Sequence, residues 1–182
     1  MSNSATTTPR AHHSNAPQGT EKIHTLIILV HDRPGAIDRV VGVLRRRRSM
    51  LQSLSIAPDT QNEVFRVTAQ VKDAEVVMDH LVAQIRKVID VQHVTNISSE
   101  QAITREMALI QVETATADSN TIIAASQPFG AVVIDAIPEA VTLEVTGDAA
   151  KIAEALATFQ KYGIRDVARS GSVAIARNVA TN

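Results

Sequence analysis

The sequence predicts an α+β protein made of two similar βαββαβ modules, and three observations carry this prediction. First, strand-like and helix-like patterns follow one another in the order β-α-β-β-α-β. Second, the second half of the chain repeats that order. Third, 45% of the 182 residues are apolar, which is enough to bury two small cores. Each module is therefore expected to be ferredoxin-like, with an antiparallel sheet that has both helices on one face.

The first module begins with a β-rich apolar segment at residues 24–31, which predicts a buried strand. DRPG then interrupts the strand, with Asp32 as a candidate helix cap and Pro34 suited to a first helical turn. A helix stripe follows at Ile37, Val40, Val41 and Leu44. Segments 50–58 and 63–71 alternate in polarity and predict a hairpin.

A second helix and a last strand complete this module. The helix is expected to start at Asp73, and the strand to cover residues 89–97. The predicted apolar stripe of this helix is Val77, Leu81, Ile85 and Val88.

The second module repeats the pattern, with a helix that again starts at Asp-Ala. Its predicted strands are 105–114, 131–138, 140–147 and 164–177, and its predicted helices are 118–126 and 148–160. The longer helix carries Ile152, Leu156 and Phe159 on one face. The bare face of each sheet, and any unpaired edge strand, favours association with another chain, so a homodimer is expected.

The expected domain organisation has five parts. A disordered Ser/Thr/Asn-rich tail, a first domain, a linker, a second domain and a short tail are predicted at 1–22, 23–98, 99–103, 104–178 and 179–182.

Composition and charge exclude several classes of protein. The net charge is −1 and aromatic residues make up 2%, which argues against nucleic-acid binding despite the arginine run at residues 45–48. That run is interpreted as the cationic end of a helix, with a basic contact surface for a protein partner as the alternative. There is no cysteine, and no apolar segment approaches the length of a membrane span, so a cytoplasmic protein is expected.

No catalytic motif is present. The chain lacks the glycine-rich nucleotide motifs, GxSxG and HExxH, so no catalytic residue, no metal ligand and no cofactor are predicted for it. One segment, HDRPGAIDRV, places a strand end, a glycine turn and a helix N-terminus in succession. Free backbone N–H groups there favour a small anion such as an amino-acid carboxylate. A simple tight turn at Pro34–Gly35 is an equally good interpretation.

Five segments resemble one family when they are taken in order. DRPGAIDRVVGVLRRR, LQSLSIAP, DVQHVTNI, TREMALIQV and DVARSGSVAIAR look like the small (regulatory) subunit of acetolactate synthase, also called acetohydroxyacid synthase. The resemblance covers residues 23–177. The first half resembles an ACT domain, an amino-acid-sensing module, and the second half resembles the family's C-terminal ferredoxin-like, ACT-like domain.

The resemblance implies a regulatory subunit with no active site of its own. It would dimerise through its ACT domains, bind and activate the catalytic (large) subunit, and confer feedback by valine in branched-chain amino-acid (valine, leucine, isoleucine) biosynthesis. Thiamine diphosphate, Mg²⁺ and FAD would be held by the catalytic subunit, which makes acetolactate from pyruvate. The positions implied for the effector site are Asp32, Arg33, Pro34, Gly35, Ala36, Ile37, Met50 and Leu51.

The sequence departs from the family at the arginine run. Where the family has a glycine, an aromatic residue and an asparagine, this chain has Arg48, Ser49 and Met50. The family's asparagine helps to hold the effector, whereas methionine offers only a weak sulfur acceptor. The lost hydrogen bonds would cost roughly 1.5–3 kcal/mol, or about 10–150-fold in affinity. Partner binding is expected to survive, with valine sensing weakened, lost or retuned. The alternative is a stand-alone ACT-type amino-acid-binding regulator not paired with a synthase.

Overall fold

The computed structural model describes residues 20–46, 50–59, 63–97 and 101–178. The first module contains β1 (Lys22–His31), α1 (Ala36–Arg46), β2 (Met50–Asp59), β3 (Val64–Asp73), α2 (Glu75–Ile85) and β4 (Val91–Ile97). The second contains β5 (Ala102–Glu113), α3 (Ser119–Ser126), β6 (Val132–Ile137), β7 (Ala140–Gly147), α4 (Ala149–Gln160), β8 (Ile164–Arg169) and β9 (Val173–Ala176). The α+β prediction of two ferredoxin-like modules is confirmed.

The first sheet is antiparallel and has the strand order β2-β3-β1-β4. Its core lies between the sheet and the two helices and is aliphatic. The fully buried members include Leu26, Ile28, Leu44, Met78 and Leu81. Burial along α2 falls on Met78, Leu81, Val82 and Ile85, so the predicted stripe is displaced at its two ends.

The second sheet has the main order β6-β7-β5-β8, with β9 paired to the first residues of β5. Its core contains an edge-to-face pair of aromatic rings, Phe129 and Phe159, with centroids 6.0 Å apart. Along α4 the buried residues are Ile152, Ala155 and Phe159, while Leu156 is half-buried.

Two predicted helix starts were wrong. Helix α1 begins at Ala36, four residues after Asp32, because residues 33–35 form a turn in which Ala36 N donates to Arg33 O at 3.0 Å. Asp73 belongs to β3, and its carboxylate accepts a hydrogen bond from Ala74 N instead of from the first turn of α2. In the second module, the carboxylates of Asp118 and Asp148 do cap α3 and α4.

Several predicted strand limits also change, and three of the changes have a clear structural cause. The last strand, 164–177, is divided into β8 and β9 by a turn in which Gly171 has φ +74°. Strand β5 begins at Ala102, inside the predicted linker 99–103, because its first residues pair with β9. Strand β4 begins at Val91, since a turn closed by Val91 N and Val88 O precedes it. Residues 1–19 of the predicted tail 1–22 lie outside the described residues, and Lys22 is the first residue of β1.

The face of the first sheet opposite its helices is partly covered by the second module. Ile27 and Ile97 of that sheet pack with Ala102 and Ala174 in a small buried cluster. Ser172 donates to Ser53 Oγ through its backbone N–H (2.6 Å), and Arg66 donates to Ala174 O (2.8 Å). The part of this face at Ile27 and Ile97 is therefore covered within the chain, and the expected homodimer stays a prediction.

Candidate functional site

The turn between β1 and α1 presents unpaired backbone N–H groups. Residues 32–35 are exposed, Ala36 is buried, and Ile37 packs partly against the first core. Within the described part of the chain, the N–H groups of Gly35, Ile37 and Asp38 form no hydrogen bond. Such groups in a first helical turn attract negative charge. The turn is thus chemically suited to a carboxylate.

A buried ion pair that sequence reasoning missed fixes this turn. The Asp90 side chain is only 3% exposed and accepts from Arg39 Nε at 2.9 Å and from Arg39 Nη2. The same Nη2 lies 3.4 Å from Pro34 O, and Arg33 Nη1 lies 3.9 Å from the other Asp90 oxygen. The pair connects the turn and α1 to the segment before β4. The available hint was an acid placed between the apolar residues Ile89 and Val91.

Gly35 has a steric reason to be glycine. Its φ is +75°, a left-handed conformation that other residues rarely adopt. A Cβ atom there would also lie 3.0 Å from Arg39 Nη1. The tight-turn interpretation therefore has direct geometric support, and close approach of a ligand remains a prediction.

The other implied site residues lie at the opposite end of the sheet. Met50 pairs with Lys72, which pairs with Ile23, whereas the turn follows His31. Met50 therefore lies level with Ile23, eight residues along β1 from His31, which is a distance of roughly 26 Å at 3.3 Å per residue. Leu51 is half-buried against the first core. One chain alone does not bring Leu51 and the turn into a single pocket.

The arginine run is described only in part. Helix α1 ends at Arg46, and Arg45 and Arg46 are exposed in its last turn. Arg46 Nε donates to Gly42 O at 3.1 Å, so a cation satisfies a carbonyl near the helix end. Residues 47–49, and with them the proposed effect of Arg48, lie outside the described residues, as does the side chain of Met50.

Across residues 20–46, 50–59, 63–97 and 101–178, no group of three or more His, Asp and Glu side chains is arranged to hold a metal ion. In the same ranges, no helix has the length and apolar character needed to cross a membrane.

Comparisons with known proteins agree with the two-module organisation. Residues 26–93 match the family described as "AHAS small subunit-like ACT domain", and residues 105–178 match "Small subunit of acetolactate synthase". The chain is 33% identical over 156 residues to an acetolactate synthase small subunit of Mycobacterium bovis, which covers 86% of this chain and 93% of that one.

Two further proteins extend the comparison. Identity is 36% to the chloroplastic acetolactate synthase small subunit 2 of Arabidopsis thaliana, over 85% of this chain but only 32% of that longer protein. The crystal structure of the small subunit from Thermotoga maritima superposes with a TM-score of 0.80 at 28% identity, covering 87% of this chain and 99% of that one. The chain belongs to the acetolactate synthase small-subunit family.

Proposed function

We propose that this chain is the regulatory subunit of an acetolactate synthase, and that it binds and activates a catalytic large subunit in branched-chain amino-acid biosynthesis. The observation that carries the proposal is the match of both modules, in order, to the two domains of the small-subunit family. The condensation of pyruvate to acetolactate would take place on the large subunit, with its thiamine diphosphate, Mg²⁺ and FAD. This chain would contribute binding and regulation only.

The effector site is proposed to form between two copies of the chain. Leu51 and the turn at residues 32–37 are at opposite ends of one sheet, so a pocket that uses both needs one end from each of two chains. An isologous dimer of the first modules would place the two ends together twice. Strand β2 is an outer strand of the first sheet, which supports pairing on that side.

Within this pocket, the free N–H groups at Gly35 and Ile37 would receive the carboxylate of an amino acid. Arg39 and Asp90 would hold the turn in the receiving conformation. Methionine at position 50 would weaken valine binding relative to an asparagine. The change Met50→Asn should therefore tighten valine binding by about 10–150-fold, measured by calorimetry. Normal valine affinity in the unaltered chain would contradict this part of the proposal.

The decisive experiment measures acetolactate formation by the cognate catalytic subunit, with and without this chain, across a valine titration. Activation with inhibition by valine would support the regulatory role, and it would show that Met50 is tolerated, which contradicts a weakened sensor. Activation without inhibition would support the regulatory role and a weakened sensor. Absence of activation, together with amino-acid binding by the isolated chain, would favour a stand-alone ACT-type regulator.

A further inference from the structure

The outer strands of the two sheets differ sharply in chemistry. Strand β4 exposes Gln92 and His93, and β8 exposes Arg165 and Asp166. Strand β2 exposes Ile56 (40%), and it is the edge assigned above to the dimer of first modules. Polar side chains, charges and proline discourage a foreign strand from pairing with an edge. Strands β4 and β8 are protected in this way. Strand β9 exposes Val173 (53%) and Ile175 (57%), but it has only four residues and its Ala174 packs against the first module.

Strand β6 lacks this protection. All six of its residues are exposed, and four of them are large and apolar: Val132 (55%), Val133 (38%), Ile134 (53%) and Ile137 (43%). In the described part of the chain it pairs only with β7, so its outer backbone groups are available. A bulge between Val133 and Asp135 interrupts the ladder, yet it leaves Ile134 exposed. Such an edge is a ready acceptor for an added strand.

The charges around β6 restrict what can pair with it. The hairpin from Val132 to Gly147 contains Asp135, Glu139 and Glu144 and has no lysine or arginine. Pairing two copies of β6 would bring two such acidic hairpins together, which like-charge repulsion opposes. A strand that carries apolar residues and a basic residue opposite Asp135 is complementary.

The size of the edge points the same way. Six residues span about 20 Å, and strands lie about 5 Å apart, so one added strand covers a narrow strip. A stable interface between two globular chains needs roughly 800 Å² from each partner. Strand β6 is therefore too small to hold any partner by itself, and it fits one extended segment of a partner that is also held elsewhere.

We infer that β6 is a docking edge for an extended, apolar and basic segment of the catalytic large subunit, which adds to the second sheet as a strand beside β6. This inference rests on the proposed function, because it names the contact surface for the same partner. Backbone hydrogen bonds along β6 supply affinity, and Val132, Ile134 and Asp135 select an apolar, basic sequence.

The test compares two valine-to-lysine variants of the full chain in a binding titration with the cognate catalytic subunit. Val132→Lys places a cation on the β6 edge and should weaken binding by at least about tenfold. Val76→Lys is the matched control, because Val76 is 63% exposed on α2 and far from β6 in the chain. It should bind within about twofold of the unaltered chain. Unfolding midpoints of both variants establish that each is folded.

A second variant tests the charge. Asp135→Asn keeps the size of the side chain, and it should weaken binding severalfold while reducing its dependence on salt concentration. Equal binding by the unaltered chain and Val132→Lys would overturn the docking edge and leave the proposed function intact. Equal weakening by both lysine variants would overturn it as well. A change of oligomeric mass with Val132→Lys alone would assign the edge to a second copy.

If the unaltered chain does not bind the catalytic subunit, the proposed function and this inference both fail.

Discussion

Among the described residues, each module has one buried carboxylate paired with a half-exposed arginine, but the two pairs join different parts of the structure. In the first module, Asp90 (3% exposed) accepts from Arg39 (47%), which also donates to Pro34 O in the turn before α1. In the second, Glu106 (3%) accepts from Arg169 (46%) between β5 and β8, which are already joined by a strand ladder. The same chemistry therefore positions a candidate site in one module and reinforces a sheet in the other.

The cores and surfaces differ in a related way. The first core is aliphatic and its sheet is partly covered by β9, whereas the second core has two phenylalanine rings and leaves β6 exposed. The first module thus combines a fixed turn with a covered sheet, and the second combines an aromatic core with an open edge. A division between an effector-binding module and a partner-docking module follows from the two proposals above.

The largest effect should come from the aromatic core. Phe159→Ala removes one ring of the edge-to-face pair and should lower the free energy of unfolding of the second module by about 3–5 kcal/mol. The chain has one tyrosine, Tyr162, and no tryptophan, so tyrosine fluorescence comes from this residue. Tyr162 packs against the second core, and its fluorescence therefore reports on that core. Urea unfolding should therefore show tyrosine fluorescence changing well before the circular dichroism signal is lost.

The matched change in the first core is Leu81→Ala, expected to cost about 2–5 kcal/mol. It should move the circular dichroism transition more than the tyrosine transition. Identical shifts of both probes by both variants would mean that the two modules unfold as one unit.

The next effect concerns the buried ion pairs. Arg39→Ala leaves the Asp90 carboxylate buried without its main partner and should cost about 2–3 kcal/mol, since water reaches only part of the site. Arg33→Ala should cost less than about 1 kcal/mol, because Arg33 is 63% exposed and 3.9 Å from Asp90. Thermal unfolding measures both, and equal losses would remove the special role given to Arg39.

A smaller effect is expected where the modules meet. Gly171 has φ +74°, and a Cβ atom there would lie 3.1 Å from Leu54 O of β2. Gly171→Ala should cost about 1–2 kcal/mol. Gly42→Ala is the control, and it should raise the free energy of unfolding instead of lowering it. The space around this helical glycine is open, so alanine should stabilise the protein by up to about 1 kcal/mol. Urea unfolding measures both variants. If Gly171→Ala leaves the free energy of unfolding unchanged, β2 and the Gly171 turn do not pack as closely as described.

The smallest effect is a pH dependence at Asp118, which caps α3. Hydrogen bonds from Thr121, first its side chain and then its backbone N–H, lower the pKa of this carboxyl below 3.8. A lowered pKa in the folded state stabilises the protein above the ordinary Asp pKa, and this contribution is lost as the pH falls through the lowered value. Asp118→Asn removes it, so the variant should differ from the unaltered chain at about pH 7 and differ less at an acidic pH below the ordinary Asp pKa. A difference in melting temperature that is the same at both pH values would refute the assignment.

Regular elements were predictable where their pattern is local. Strand β7 has the predicted limits because alternation, Pro138 before it and Gly147 at its end are all encoded within a few residues. Helices α3 and α4 begin one residue after the predicted starts at Asp118 and Asp148, because each of these aspartates caps the helix that follows it. The family resemblance also rests on local segments, and the comparisons confirm it.

The prediction failed where a contact joins distant parts of the chain. The ion pair between Arg39 and Asp90 spans 51 residues, and no local pattern pairs that arginine with that acid. The division of residues 164–177 into β8 and β9 depends on Ser172 and Ala174 contacting the first sheet.

The sequence by itself determined the order of strands and helices, the two caps in the second module, the glycine in the turn after β1 and the family, because each depends on residues close together in the chain. Only the tertiary structure decided that Leu51 and the turn lie at opposite ends of one sheet, that Asp90 holds the turn, and that β6 is an edge strand whose six residues are all exposed. Those facts follow from strand order and from packing between modules, which bring together residues that have no relation along the sequence.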